Sequence, residues 1–146
     1  MTLALEPFAP GRTDELVRMW RESFEAGVGI VDPHPIAEQI LYFEEKVVAS
    51  NTVIVAMLDG TLAGFVAANR ESVSQLYVRR GLQRAGIGTR LLDWAKAQSA
   101  GSLWLYTFAR NTGARAFYEK HGFAIAARGF EPTWQLDDLR YEWRRD

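Results

Sequence analysis

The stretch of residues 74–92 carries the side chains and spacing that point most directly to chemistry. A short β-prone run leads into a turn with Gly86 and Gly88, and an amphipathic helix follows the turn. The first N–H groups of a helix have no partner within the helix, and the helix dipole favours an anion beside them. Three arginines add positive charge at this end of the helix: Arg79, Arg80 and Arg84. The sequence therefore predicts a binding site for a phosphorylated ligand.

Two common phosphate-binding motifs fit this turn poorly. A Walker loop ends in Gly-Lys followed by Ser or Thr, whereas this chain has Gly88-Thr89-Arg90. A dinucleotide-binding fingerprint needs a third glycine where this chain has Leu91. The structural alternative is a tight strand-to-helix turn that needs small residues for packing alone.

The elements that must position this turn alternate between strands and helices. Period-two and β-branched runs predict strands at residues 2–6, 51–58, 61–69, 73–78, 102–107, 123–127 and 139–143. Apolar residues at helical spacing predict helices that begin near Thr13, Ile36, Ile87 and Asn111. Loops are expected at residues 27–35 and 129–139. This order predicts a mixed sheet flanked by helices in an α/β fold.

Composition narrows the class of protein. The chain has 146 residues, of which 48% are hydrophobic and 24% charged, as in ordinary globular domains. Its net charge of −1 gives no general attraction to nucleic acid or anionic lipid. The absence of cysteine excludes a thiolate nucleophile, and two histidines alone do not favour a metal site. Without a recognisable leader or a long apolar segment, we expect a cytoplasmic protein with no membrane or nucleic-acid partner.

Two motifs resemble those of the GNAT superfamily of N-acetyltransferases. Gln83-Arg84-Ala85-Gly86-Ile87-Gly88 matches Q/R-x-x-G-x-G/A, the pattern with which that family binds pyrophosphate. The segment from Asn111 to Phe123 resembles the family's downstream signature N-x-x-A-x-x-F-Y-x-K-x-G-F. One departure is Arg79-Arg80, because many members have a proline soon after the position of Val78. The resemblance covers nearly the whole chain and implies one acetyltransferase domain over residues 1–146.

The resemblance implies a GNAT-like, mostly antiparallel sheet of about six or seven strands with about four helices, in which strands four and five splay apart. It also implies transfer of an acetyl group from acetyl-CoA to a primary amine of a small molecule or peptide. The pyrophosphate would bind at the helix start, and the pantetheine arm would pair with the fourth strand. The implied cofactor-binding residues are Leu76, Tyr77, Val78, Gln83, Arg84, Ala85, Gly86, Ile87, Gly88, Thr89, Asn111, Phe117 and Tyr118. Asn111 is equally well explained as the N-cap of its helix.

The resemblance also assigns catalytic roles. The backbone N–H of Val78 would polarise the acetyl carbonyl, and Tyr118 would be the general acid that protonates the leaving thiolate. The alternative for Tyr118 is a core aromatic that stacks with Phe117. Because the chain has no cysteine to carry an acyl group, we expect direct attack within a ternary complex. Ordered water and four side chains remain candidates for the general base: Glu71, Glu25, Asp32 and His34.

Carboxylate and aromatic side chains in the two loops are candidates for binding the acceptor: Asp32, His34, Glu131 and Trp134. Carboxylates attract a cationic amine, and a Trp ring can stack on it. One alternative function is a non-catalytic module that binds acetyl-CoA for regulation. The alternation of Leu139, Tyr141 and Trp143 also raises a possible homodimer. The sequence leaves open the acceptor, the oligomeric state and the use of acyl groups other than acetyl.

Overall fold

Seven strands and four helices form the part of the chain that the computed structural model describes, residues 2–83 and 85–146. The strands are β1 (Leu3–Pro7), β2 (Thr52–Leu58), β3 (Thr61–Ala68), β4 (Val73–Val78), β5 (Ser102–Phe108), β6 (Ala124–Glu131) and β7 (Leu136–Arg144). The helices are α1 (Thr13–Val28), α2 (Ile36–Tyr42), α3 (Ile87–Gln98) and α4 (Thr112–Lys120). A π-helical turn (Phe43–Val47) and a last short turn (Val48–Ser50) continue α2. None of these described helices is long and apolar enough to cross a membrane.

The strands form two antiparallel sheets that meet at one end. The first sheet has the order β1-β2-β3-β4 and the second has the order β5-β7-β6. A parallel bridge between Ser72 and Trp104 and a 3.1 Å hydrogen bond from Trp104 N to Glu71 O join the two sheets. Beyond this junction β5 pairs with β7 along its whole length rather than with β4. The predicted α/β fold with splayed fourth and fifth strands is therefore confirmed.

Helices cover both faces of the first sheet, so its central strand is buried on both sides. Along β3, Phe65 packs with Trp20 and Phe43 on the face of α1 and α2. Val66 belongs to the opposite cluster, which includes Leu91 of α3. A strand buried on both faces reads as a continuous apolar run, which is how Thr61–Ala68 appears in the sequence. Truncating a side chain such as Phe65 to alanine would cost about 3–5 kcal/mol.

The hairpin of β6 and β7 is longer than the sequence predicts, so the expected loop at residues 129–139 is wrong. Pairing continues through Gly129 opposite Asp138 and reaches Glu131 opposite Leu136. Gly129 and the following proline are turn signals in a sequence. In the fold, Gly129 instead makes room for Asp138, whose Oδ1 would lie 2.8 Å from a Cβ at that position. The connection is therefore a short turn at residues 132–135.

Candidate active site

The edge of β4 that faces β5 points two backbone N–H groups into the gap between the sheets. Arg79 N donates to Ala63 O at 2.7 Å, and this bond shows that the N–H of Arg79 points toward β3. Because N–H groups alternate in direction along an antiparallel strand, those of Leu76 and Val78 point away from β3. The carbonyl oxygen of Val78 points the same way and accepts a 2.8 Å hydrogen bond from Ser23 Oγ of α1. This edge can pair with an extended ligand.

The turn between β4 and α3 leaves room beside the first N–H groups of the helix. Gly86 has a φ of 77°, a left-handed conformation that costs other residues about 1–2 kcal/mol. No described residue lies within 4 Å of the position that its Cβ would take. Within the turn, Gln83 Oε1 accepts a hydrogen bond from Gly81 N at 2.8 Å. The start of α3 therefore fits an anion. Arg84, which the sequence also assigns to this site, lies outside the described residues.

The two sequence motifs contact each other at the start of α3. A Cβ on Gly88 would lie 3.2 Å from ring carbons of Phe117 on α4 and 3.5 Å from Val78 Cγ2 on β4. Thr89 Oγ1 lies 3.2 Å from Nε2 of His121, which follows α4. Residues assigned to the cofactor on β4, α3 and α4 are therefore brought together at one end of the gap.

Tyr118 lies in the core next to this gap and keeps its phenolic proton. Only 7% of it is exposed, and its ring packs on Phe123 and Tyr141. Burial raises the pKa of Tyr118 well above its usual range, and the nearby phenol of Tyr77 raises it further. Burial likewise raises the pKa of Tyr77 to about 12, against a smaller lowering by a hydrogen bond with Trp20. Tyr77 itself lines the gap on the α1 side.

Asn111 caps α4, as one of the two explanations from the sequence requires. Its Oδ1 accepts a 3.2 Å hydrogen bond from Ala114 N. Its side chain also packs on α1, because a Cβ on Gly27 would lie 3.1 Å from Asn111 Nδ2. The same residue lines the gap. A contact between Asn111 and the cofactor remains a prediction.

A cleft of about 740 Å³ opens on the α1 side of the gap, between the sheets, α2 and the β6–β7 turn. All four residues assigned to the acceptor line this cleft: Asp32, His34, Glu131 and Trp134. Two further carboxylates, Glu38 and Asp138, also line it, and the lining among the described residues includes no lysine or arginine. Aromatic rings supply much of the remaining wall: Trp20, Phe24, Tyr42, Tyr77, Tyr106 and Phe108. The cleft is therefore acidic and aromatic, which suits an organic cation.

The loop between α1 and α2 is held together by Asp32. Its Oδ1 accepts a hydrogen bond from His34 N at 2.9 Å and lies 2.7 Å from His34 Nδ1. Its Oδ2 lies 3.4 Å from Arg21 Nη2, and its side chain is only 9% exposed. The backbone N of Asp32 donates to Glu25 Oε2 at 2.7 Å. The His34 ring then packs edge-on against Trp134, with centroids 5.3 Å apart.

Glu71, which the sequence suggests as a general base, does not lie at the cleft. It is exposed in the turn before β4, at the junction of the two sheets. Its backbone N donates to Asn69 Oδ1 at 2.8 Å, which shapes that turn. The geometry gives its carboxylate no part in the site.

Several residues of the site carry no recognisable signal in the sequence. Ser23 and Arg21 lie on the amphipathic helix α1, where they read as ordinary polar positions. Their importance depends on partners far along the chain, because Ser23 bonds to Val78 and Arg21 pairs with Asp32. Asp138 reads as a loop residue because the preceding hairpin was not predicted to extend so far.

Two splayed antiparallel sheets with a glycine turn at the edge of the gap define an acetyltransferase of the GNAT type. A sequence model described as the acetyltransferase (GNAT) family matches residues 13–123. The chain therefore belongs to the GNAT family of acetyltransferases.

Relatives agree with this assignment. The probable N-acetyltransferase Rv2775 of Mycobacterium tuberculosis is 32% identical, over 80% of this chain and 74% of that protein. The apo form of YjaB from Escherichia coli has the same fold, with a TM-score of 0.82, 18% identity and full coverage of both chains. The PaiA N-acetyltransferase of Thermoplasma acidophilum, solved in complex with coenzyme A, has a TM-score of 0.78, 21% identity and 99% coverage of both chains.

Proposed function

We propose that this protein transfers the acetyl group of acetyl-CoA to a primary amine of a small molecule or peptide. The observation that carries the proposal is the open edge of β4, where the N–H groups of Leu76 and Val78 face the gap beside the start of α3. Membership of an acetyltransferase family supports the reaction class. The related fold solved with coenzyme A supports the co-substrate.

The chain offers complementary groups for three parts of acetyl-CoA: the pyrophosphate, the pantetheine arm and the acetyl carbonyl. The N–H groups at the start of α3, from Gly86 to Thr89, suit the pyrophosphate, with Gln83 in the preceding turn, whereas Ala85 N already donates to Leu82 O at 3.2 Å. The edge formed by Leu76, Tyr77 and Val78 suits the amides of the pantetheine arm. Val78 N–H is our candidate for polarising the acetyl carbonyl, and Leu76 N–H faces the same way.

Tyr118 is our candidate for the general acid. Its raised pKa means that the phenol holds its proton throughout the neutral range. A raised pKa also makes the phenol a weaker acid in water, but burial raises the proton affinity of a thiolate in the same gap. What matters for proton transfer is the difference in pKa between the donor and the acceptor, and burial raises both values. Tyr118 therefore donates its proton as the C–S bond breaks.

The cleft favours a cationic acceptor. Four carboxylates and a wall of aromatic rings line it: Asp32, Glu38, Glu131, Asp138 and the rings named above. An ammonium ion is attracted by the carboxylates and stacks on aromatic faces such as that of Trp134. The amine nitrogen then attacks the acetyl carbonyl directly, because no cysteine is present to form an acyl-enzyme.

The test measures release of CoA with a thiol-reactive dye. The chain has no cysteine, so the protein itself contributes no signal. The panel consists of 1,4-diaminobutane, 2-phenylethylamine, 4-ethylaniline and the peptide Ala-Gly-Lys, with 2-phenylethanol as the matched compound without an amine. We expect amine-dependent CoA release, an N-acetyl product by mass spectrometry, and intersecting initial-rate patterns. Binding of CoA without turnover of any amine would favour the non-catalytic module, and parallel rate patterns would contradict direct attack.

A further inference from the structure

His34 is held in a geometry that suits a base rather than a simple contact residue. Its Nδ1 lies 2.7 Å from Asp32 Oδ1, so the carboxylate selects the tautomer with the proton on Nδ1. The lone pair is then on Nε2, on the side of the ring away from Asp32. The side chain is 45% exposed and lines the acceptor cleft, where it packs against Trp134. We propose that His34 is the general base that deprotonates the acceptor amine and that Asp32 is its positioning residue.

Asp32 is suited to orient the ring because it is itself fixed. Arg21 Nη2 lies 3.4 Å from Asp32 Oδ2 and balances the charge of this carboxylate. The Asp32 side chain is only 9% exposed. Arg21 is in turn held by a 2.9 Å hydrogen bond from its Nε to Gln39 Oε1 of α2. Glu25 of α1 accepts from the backbone N of Asp32 and so fixes the start of the loop. The imidazole therefore rests on a chain of contacts that joins α1 to α2.

Charged side chains from α1, α2 and the β6–β7 hairpin face the loop of His34 or line the cleft beside it. Arg21 and Glu25 face the loop from α1, Glu38 lines the cleft from α2, and Glu131 and Asp138 line it from the β6–β7 hairpin. These carboxylates give the cleft a negative charge that attracts a cationic amine toward the ring. The carboxylates themselves are poorer bases for an ammonium ion, because a general base works best with a pKa near the working pH. Imidazole is the side chain that meets this condition.

The proposal rests on the proposed acetyl transfer and completes its proton balance. The acceptor ammonium gives one proton to His34 Nε2. The lone pair of the resulting amine then forms the N–C bond at the acetyl carbonyl. The C–S bond breaks, and the thiolate takes the proton of Tyr118. The nitrogen loses its second proton to water, a proton from water restores Tyr118, and His34 releases the first proton to water through its exposed edge. The products are the N-acetyl amine, CoA as the thiol and one proton.

The kinetic test compares an acceptor that needs a base with one that does not. 2-Phenylethylamine is an ammonium ion at neutral pH, whereas 4-ethylaniline is already neutral. For His34→Ala, we expect kcat/KM to fall about a hundredfold or more with the first amine and less than about tenfold with the second. In this variant, the rise of kcat/KM at the low-pH side of its pH profile should disappear, and added imidazole should partly restore the rate. An equal loss with both amines would overturn the proposal.

Two further variants separate positioning from folding. Asp32→Asn should change the pH profile in the same way, and combining it with His34→Ala should add little further loss. His121→Gln removes the other histidine of the chain and should keep the rise of kcat/KM at the low-pH side. Both His34→Ala and His34→Gln should keep the wild-type dissociation constant for CoA. Loss of CoA binding in both of these variants would indicate a structural role and contradict the proposal.

Nitrogen NMR of the full chain tests the geometry without any acceptor. In the wild type, neutral His34 should carry its proton on Nδ1, and Asp32→Asn should shift the balance toward Nε2. A wild-type ring protonated on Nε2 would overturn the proposal. If the wild type turns over none of the panel amines, the proposed acetyl transfer fails, while the tautomer still decides whether the Asp32–His34 pair is built as a base.

Discussion

The ring of Phe117 occupies the space that a side chain on Gly88 would need, with ring carbons 3.2 Å from the position of a Cβ. This contact joins the second glycine of the turn to the helix that carries Tyr118. Gly86, by contrast, has none of the residues that the structure describes within 4 Å of its missing Cβ, and its φ of 77° requires glycine. The two glycines of one motif therefore have different roles. Gly86 shapes the anion site, and Gly88 lets α4 pack against the first turn of α3.

Replacing Gly88 by alanine should damage the fold and the cofactor site together. Gly88 and Gly113 are each the second residue of their helix, and a Cβ on Gly113 would have no neighbour within 4 Å in the described part of the chain. Gly113→Ala should therefore raise the free energy of unfolding by up to about 1 kcal/mol through helix propensity. Gly88→Ala must displace Phe117 and should be less stable than Gly113→Ala by about 1–3 kcal/mol. Urea unfolding of the two variants measures this difference.

The same pair of variants also tests the assignment of the cofactor site. Gly88→Ala should weaken CoA binding in a calorimetric titration, since the added methyl group would lie 3.2 Å from the Phe117 ring and 3.5 Å from Val78 Cγ2. Gly113→Ala should bind CoA as the wild type does. Equal stability and equal affinity in the two variants would show that Phe117 moves aside freely.

Tyr118→Phe should separate the two explanations of this residue. The ring and its packing on Phe123 are kept, so we expect the free energy of unfolding to change little. Loss of the proton donor should lower kcat by about a hundredfold or more. Tyr141→Phe is the matched control, because Tyr141 is also buried but its hydroxyl bonds to Glu119 at 2.6 Å. That variant should lose about 1.5–3 kcal/mol of stability, because the hydroxyl bonds to the charged groups of Glu119 and Arg115, and should keep its turnover. Unchanged kcat in Tyr118→Phe would leave Tyr118 as a core aromatic.

Alkaline pH should destabilise the protein through its buried phenols. Burial raises the pKa of Tyr77 to about 12 and raises that of Tyr118 further. The protonated forms are favoured in the folded state, so their contribution is complete below the usual phenol pKa of about 10. It is lost as the pH rises through the folded-state pKa of each phenol. The free energy of unfolding should therefore fall above about pH 10, and Tyr77→Phe should reduce the slope. A slope unchanged in that variant would contradict the assignment.

The arrangement of strands and helices was largely predictable, because each element has a periodic apolar pattern and a turn signal at its end. β2 and β3 illustrate this, since a β-branched run, Asp59-Gly60 and a second apolar run give a hairpin directly. The β6–β7 hairpin was not predictable in the same way. Its strands are largely exposed beyond the core, so pairing rather than burial extends them to Glu131 and Leu136.

The parts of the site that depend on residues close in sequence were predictable, whereas those that depend on contacts between distant residues were not. The spacing of Asp32 and His34 on one short loop already suggested a role in the site, and their contact depends on residues two apart. The pairing with Arg21 arises only when α1 and the loop pack together. Glu71 shows the converse. Its place just before β4 suggested a base, yet it lies at the end of β4 where the two sheets join.

Glu131→Gln should weaken binding of a cationic acceptor without affecting the chemistry. Glu131 Oε2 accepts a 2.6 Å hydrogen bond from Trp134 N, and the amide oxygen of glutamine can replace it, so the turn should keep its shape. Loss of one partly exposed charge is worth up to about 1 kcal/mol, which is about fivefold in affinity. KM for 1,4-diaminobutane should rise by about this factor with kcat little changed, while KM for neutral 4-ethylaniline should stay the same.

Glu6→Gln on β1, exposed and outside the cleft lining, is the control and should change neither value. Since salt screens the interaction, raising the ionic strength should increase KM for the diamine more in the wild type than in Glu131→Gln. An equal rise in KM for both amines would show that Glu131 shapes the cleft rather than attracting the cation.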